Sequence, residues 1–126
     1  MENKFSKMMF AFVAALALSV STVSATWVNV QVTPGSWAGE ISWSLIDASG
    51  TSIASTTPGT YSFSGIAIDN WVNAPDGCYE MELYDSYGDG WNGGVYQIID
   101  SAGTIYSSGG MAGGSFAMYP KSINGA

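Results

Sequence analysis

Histidine is absent from the sequence, and lysine and arginine together number only three in 126 residues. Histidine is the commonest general base and transition-metal ligand in proteins, so its absence argues against both kinds of site. Nucleic acids and anionic membrane surfaces are bound by clusters of basic residues, and the sequence contains none. These absences predict a protein that is not an enzyme and that has neither nucleic acid nor an anionic membrane as a partner.

Cysteine occurs once, at Cys78, so no disulfide can form within the chain. Two interpretations of this residue are open. A single cysteine is most often a small buried apolar side chain, and we favour that interpretation. In an exported protein it can instead form a disulfide between two copies.

The first 25 residues have the three-part pattern of a secretory signal peptide. Two lysines precede an apolar run at 8–20, and residues 23–25 are small enough for cleavage before Thr26. The apolar run is shorter than the roughly 18–20 residues that a membrane-spanning helix needs. We therefore expect a secreted, extracellular protein with no membrane anchor and with a single domain at 26–126.

Removal of the signal peptide makes the chain strongly acidic. Lys4, Lys7 and Glu2 would be lost, which leaves nine carboxylates against Lys121 and a net charge of −8. An acidic excess of this size suits a soluble exported protein and favours a cation as ligand.

Short runs of alternating apolar and polar residues predict an all-β domain. Turn residues separate the runs, and no helical periodicity follows the signal peptide. About eight strands of this kind are typical of a small antiparallel β-sandwich of the jelly-roll or CUB-like type. The predicted strands are 27–32, 41–46, 51–55, 61–68, 78–84, 95–99, 104–107 and 115–119.

Two segments repeat one pattern, 53 residues apart. Residues 43–51 and 96–104 both read aromatic-x-aliphatic-Ile-Asp-x-x-Gly-Thr. The aspartate can bind the backbone of its own turn, and the glycine accepts a positive φ. We expect two similar hairpins, placed on opposite sheets.

The segment 85–94 (DSYGDGWNGG) carries carboxylates four residues apart among four glycines. Small residues let a loop fold tightly enough for oxygen atoms to converge on a hard cation such as Ca²⁺. The segment departs from an EF-hand at two ligand positions, so further ligands must come from elsewhere. A purely structural turn, with aspartates accepting backbone N–H bonds, is the alternative. The candidate metal ligands are Asp85, Asp89, Asn92, Glu82 and Asp76.

Aromatic residues crowd the same region and are candidates for contact with a ligand or partner. Tyr87 and Trp91 lie in the loop and Trp71 lies upstream, and an exposed ring of this kind can stack on a sugar. For Trp91 the alternative is that the ring folds back and covers the end of the sandwich. Tyr84 and Tyr96 are expected in strand cores.

The motif Asp76-Gly77-Cys78-Tyr79, followed by 85–93 (DSYGDGWNG), resembles a poorly characterised family of secreted bacterial and algal β-sandwich modules. The resemblance extends over nearly the whole of 26–126 and implies an exported setting and a sandwich fold. Members of that family commonly have another cysteine five residues before the one that corresponds to Cys78. Asn73 stands at that position here, so the implied disulfide loop is missing.

The leading hypothesis is a non-enzymatic structural protein whose copies associate into an extracellular filament or matrix, stabilised by Ca²⁺. Its strand edges are poorly protected by charge, and the first strand, 26–33, begins at the processed end, where it can pair with a neighbouring copy. The alternative is a carbohydrate-binding or adhesion module that binds extracellular polysaccharide through loop 85–94. The polar loop with Ser55, Thr56, Thr57 and Thr60 is a candidate site for O-glycosylation.

Overall fold

The computed structural model describes residues 24–123, so the predicted signal peptide lies outside them except for Ser24 and Ala25. Within this part of the chain no helix is long enough and apolar enough to cross a membrane. A short 3-10 turn, Ala38–Glu40, precedes the second of eight strands. The strands are β1 (Ala25–Thr33), β2 (Ile41–Asp47), β3 (Ser52–Ser55), β4 (Trp71–Pro75), β5 (Gly77–Asp85), β6 (Val95–Asp100), β7 (Ile105–Gly110) and β8 (Phe116–Ile123).

The eight strands form two four-stranded antiparallel sheets. Sheet A has the order β4-β1-β6-β7, and sheet B has the order β3-β2-β5-β8. The predicted all-β sandwich of about eight strands is confirmed.

Alternation along the strands places one face of each sheet in a shared core. In β1 the buried apolar side chains are Val28, Val30 and Val32, and in β5 they are Tyr79, Met81 and Leu83. Burial of an indole requires a partner for its N–H group, and Trp43 Nε1 donates to the Tyr61 hydroxyl at 2.8 Å.

The two repeated segments form β2-β3 and β6-β7, which belong to different sheets. In each turn one aspartate oxygen accepts two backbone N–H bonds. Asp47 Oδ1 lies 3.0 Å from Ser49 N and 2.9 Å from Thr51 N. Asp100 Oδ1 accepts from Ala102 and Thr104 at 3.0 and 2.9 Å. The predicted placement of the two hairpins on opposite sheets is confirmed. Their turns are alike because the aspartate and the glycine determine each turn locally.

The predicted strand at 61–68 is wrong. This segment is a loop whose residues are exposed after Tyr61, and only Ile68 forms an isolated bridge, to Val32. Gly65, with a φ of 76°, bends the chain. The apolar residues before it are at odd positions and those after it are mainly at even positions, so a continuous strand could not bury them all on one face. The strand forms at 71–75 instead, where apolar residues at 72 and 74 face the core.

The first strand, predicted to pair with a neighbouring copy, is an inner strand of sheet A. β1 pairs with β4 over 25–29 and with β6 over 28–33, so on the β6 side only 25–27 lack a partner strand, and little edge is left for a neighbouring copy. The edge strands are β4 and β7 in sheet A and β3 and β8 in sheet B.

Two predicted burials are wrong, because β5 turns these residues to the outer face of sheet B. Cys78 is exposed, with its Sγ 3.9 Å from Ser122 Oγ. Tyr84 is only half-buried on the same face and packs on Phe116 with ring centroids 5.4 Å apart. Tyr96 is buried as expected.

The hairpin aspartates predict a loss of stability in acid. Hydrogen bonds from Ser49 and Thr51 lower the pKa of Asp47, and those from Thr104 and Tyr106 lower the pKa of Asp100. A lowered folded-state pKa gives stability that is present above the unfolded pKa of about 4 and is lost as the pH falls through the folded value. In melts from pH 6 to 3, the Asp47→Asn/Asp100→Asn variant should lose less stability than the wild type. Equal losses would contradict this role.

Candidate functional site

Asp85 organises the loop that leads from β5 to β6. It ends β5 with a side chain only 3% exposed. Its Oδ2 accepts the backbone N–H groups of Gly88, Asp89 and Gly90 at 2.9, 2.7 and 2.9 Å. A buried carboxylate is tolerated when it is hydrogen-bonded in this way. Asp85 therefore accepts backbone N–H bonds as the structural-turn interpretation expects, and these bonds fold the loop around its carboxylate.

Close backbone contact holds the loop against the segment before β8. Gly90 N donates to Gly114 O at 3.0 Å, and Trp91 N donates to Met111 O at 2.8 Å. A Cβ on Gly90 would lie 2.5 Å from Met111 O, and the φ of Gly90 is 89°. Only glycine satisfies both conditions.

Trp91 is buried at the end of the sandwich, with 0% exposure. Its Nε1 donates to Tyr84 O at 3.0 Å. The prediction that its ring contacts a ligand is wrong, and the alternative, a ring folded back over the core, is confirmed. The flanking glycines and the Asp85 hydrogen bonds turn the chain inward at this point. Tyr87 remains 76% exposed in the loop, and Trp71 is 48% exposed on β4, in the other sheet.

A third carboxylate joins the two aspartates of the loop. One oxygen from each of Glu40, Asp85 and Asp89 lies within 4.8 Å of the others. Glu40 belongs to the 3-10 turn before β2, and its carbonyl accepts the Ser86 N–H at 3.0 Å. No sequence pattern identifies Glu40 as part of the site, because its place beside Asp85 depends on the pairing of Ile41 with Asp85 between β2 and β5.

Two buried oxygens at this site have no hydrogen-bond partner among the described residues, namely Glu40 Oε2 and Asn92 Oδ1. Asn92 is held next to the carboxylates because its Nδ2 donates to Asp89 Oδ2 at 3.2 Å. Most buried polar atoms in proteins have a partner. Both unpaired atoms are oxygens, so the missing partner is a donor or a cation.

The charges at the site are unbalanced. Burial raises the pKa of Glu40, and the neighbouring Asp89 and Asp85 raise it further. Burial also acts to raise the pKa of Asp85, but the hydrogen bonds from Asp89, Tyr87 and Gly88 outweigh it and lower that pKa. Lys121, the one basic residue in 24–123, pairs with Tyr79, six residues before Asp85. At about 3.4 Å per residue, Lys121 is roughly 20 Å from Asp85 along the sheet, which is too far to neutralise the carboxylates of the site.

The structure separates two of the predicted ligands from the others. Asp76 precedes β5, whose other end is Asp85, nine residues away, or roughly 30 Å along the strand. Glu82 lies on the outer face of sheet B and accepts the Tyr84 hydroxyl at 2.6 Å, which raises the pKa of Tyr84 to about 12. The site therefore contains Asp85, Asp89 and Asn92 from the prediction, with Glu40 added.

The candidate glycosylation loop follows β3. Ser55, Thr57 and Thr60 are exposed. Thr56 Oγ1 accepts the Trp43 N–H at 3.2 Å, and Thr60 Oγ1 donates to Thr57 O at 2.7 Å. Glycosylation at these residues stays a prediction.

No protein-family model, no curated protein and no solved structure matches the chain. The family resemblance based on 76–79 and 85–93 stays a prediction.

Two glycines of the loop form a matched pair for testing its packing. Gly90 and Gly93 have φ values of 89° and 91°, but a Cβ on Gly93 meets nothing within 4 Å. Gly93→Ala should cost about 1 kcal/mol, for the left-handed backbone alone. Gly90→Ala should cost about 1–3 kcal/mol more, because its Cβ overlaps the backbone at Met111. Urea denaturation of both variants measures the difference, and equal costs would contradict the close packing.

Proposed function

We propose that the protein is an exported, non-enzymatic structural domain that binds Ca²⁺ at the loop end of its sandwich. The observation that carries this proposal is the convergence of Glu40, Asp85 and Asp89, with unpaired buried oxygens on Glu40 and Asn92 beside them. Three acidic side chains without a basic partner repel one another in the absence of a cation. A bound divalent ion would remove that repulsion and provide the missing partner.

The chemistry of the donors favours calcium. All candidate donors are oxygens, which suit hard cations rather than transition metals. Ca²⁺ binds oxygen ligands at about 2.3–2.6 Å, so two ligands on opposite sides of one ion lie about 4.8 Å apart. The carboxylate oxygens of the site lie within that separation.

A structural role is supported because the described residues offer few side chains suited to acid–base catalysis. Residues 24–123 contain no histidine and one lysine. The Asp85 carboxylate is already engaged by the backbone of its own loop. A general base must be free to reach a substrate proton, and Asp85 is not.

Self-association is proposed through edge strands other than β1. Natural sheets protect their edges with lysine, proline or bulges. β4 contains Pro75, and β8 contains Pro120 and Lys121. β3 (SIAS) and β7 (IYSSGG) have neither charge nor proline, and their only protection of this kind is one register shift each, in the pairings with β2 and β6. Strand pairing between copies is therefore proposed at β3 and β7. The exposed Cys78 would allow a disulfide between copies on the outer face of sheet B.

The carbohydrate-binding alternative loses part of its support in the loop, since Trp91 is buried and only Tyr87 presents a ring there. A different surface, on sheet A, favours the same ligand class.

Calcium binding predicts opposite effects of one substitution with and without the ion. Ca²⁺ at 100 times its Kd should stabilise the wild type by about 2.7 kcal/mol, which raises Tm by roughly 10–20 °C. Glu40→Gln should lose most of this shift. In EDTA the same variant should melt at or above the wild-type temperature, because one repelling charge is gone. Differential scanning calorimetry measures both.

Glu80→Gln is the matched control, because Glu80 lies on the outer face of sheet B and opposes Pro120. It should keep the full calcium shift. A wild-type Tm that is identical in Ca²⁺ and EDTA would refute the calcium site.

Edge pairing predicts that one lysine in β7 reduces assembly. Ile105 is 50% exposed on this strand, and Ile105→Lys should shift the protein toward monomer in size-exclusion chromatography with light scattering. Ser101→Lys, in the turn before β7, places the same charge outside the strand and should leave assembly unchanged. A wild type that stays monomeric at high concentration with Ca²⁺ present would refute self-association.

A further inference from the structure

The outer face of sheet A carries two exposed tryptophans on neighbouring strands. Trp27 of β1 and Trp71 of β4 are 59% and 48% exposed. Trp27 opposes Asn73, and Trp71 opposes Asn29, so the two indoles are diagonal neighbours across the pair. Diagonal neighbours have Cβ atoms about 7–8 Å apart, which lets two indoles form one extended apolar surface.

A row of fixed polar groups lies beside the tryptophans. Asp69 Oδ1 accepts Asn29 Nδ2 and Gln31 Nε2, both at 2.9 Å. Asn29 Oδ1 in turn accepts the Asn70 N–H at 2.9 Å. These bonds hold the side chains in one orientation, so little conformational entropy remains to be lost when a ligand binds. Asp69 Oδ2 accepts no hydrogen bond from the described residues and is available to a donor.

A cleft of about 450 Å³ continues the face toward β7. Its polar lining includes Gln31, Thr33, Gln97 and Ser108. Gln31 belongs both to the cleft and to the polar row, so indoles, amides and cleft form one continuous surface across the four strands of sheet A.

We propose that this surface binds a neutral polysaccharide whose sugar rings stack on Trp27 and Trp71. The apolar C–H face of a pyranose packs on an indole, and its hydroxyls donate to and accept from carboxylates and amides such as those of Asp69 and Gln97. The face of a β-sheet is suited to an extended, ribbon-like chain. β-1,4-linked glucan, xylan and chitin have that shape.

The charges of the surface select against anionic chains. Sheet A contains no lysine or arginine, and the single basic residue among 24–123, Lys121, belongs to sheet B. Asp69 is a carboxylate whose pKa is lowered by the Gln31 and Asn29 hydrogen bonds. Sulfated or uronic-acid chains would be repelled at this position.

A second copy of the protein fits this surface less well than a glycan. The centres of protein interfaces are depleted in charge and are more apolar than their rims. Here the polar row, which includes the Asp69 carboxylate, lies between the indoles and the cleft. The side chains of the row are hydrogen-bonded to one another and still leave acceptors such as Asp69 Oδ2 available, which suits a ligand with many hydroxyls.

The surface is independent of the calcium site in its residues, so the two proposals can fail separately. The protein, expressed from its full sequence and purified, should co-sediment with at least one of microcrystalline cellulose, insoluble xylan and chitin, but not with polygalacturonate. Trp27→Ala and Trp71→Ala should each weaken the retained binding by about tenfold or more. Tyr87→Ala removes a still more exposed ring from the loop and should change glycan binding by less than about twofold.

Three outcomes would overturn the proposal: no retention on any of the neutral glycans, retention that both tryptophan variants leave unchanged, or loss of self-association in those variants without loss of glycan. Circular dichroism melts confirm that each variant is folded, and Trp27→Gln or Trp71→Gln replaces any that is not. Glu40→Gln should keep full glycan binding, whatever its response to Ca²⁺.

Discussion

The hydrogen bonds to the Asp85 carboxylate hold the loop end of the molecule together. Asp85 ends a strand that pairs on both sides within sheet B, so the sheet fixes the backbone that carries this carboxylate. Three successive N–H groups then bind to Oδ2. This turns the chain inward and allows Trp91 to cover the core. The same arrangement leaves Glu40 beside two further carboxylates, which is the physical basis for expecting a cation.

Aspartates that accept hydrogen bonds from backbone or amide N–H groups recur through the fold. Asp47 and Asp100 do so in the two hairpins, and Asp69 binds two amide side chains on sheet A. In a chain with almost no basic residues, N–H dipoles take the place of salt bridges in stabilising the carboxylates. Glu40 is the exception among these carboxylates, because one of its buried oxygens has no such partner in 24–123.

Sequence patterns predicted the features that are decided locally. The alternating strands and the two Asp-x-x-Gly turns followed from side-chain period and turn chemistry. The features that depend on distant pairing were missed, namely the central place of β1, the strand at 71–75 and the arrival of Glu40 beside Asp85. The sequence left open whether the Trp91 ring is exposed or buried, for the same reason. Its burial depends on the contact between the loop and the segment before β8, which is distant in sequence from β5.

The central position of β1 has a consequence for the order of folding. Its partners in the sheet are residues 71–75 and 95–100, which emerge from the ribosome long after it does. Contacts of such high sequence separation form slowly, since a long stretch of chain must be ordered first. The N-terminal half therefore has no sheet partner for β1 during most of synthesis. Sheet A can therefore close only late in synthesis, once residues 95–100 are available to pair with β1.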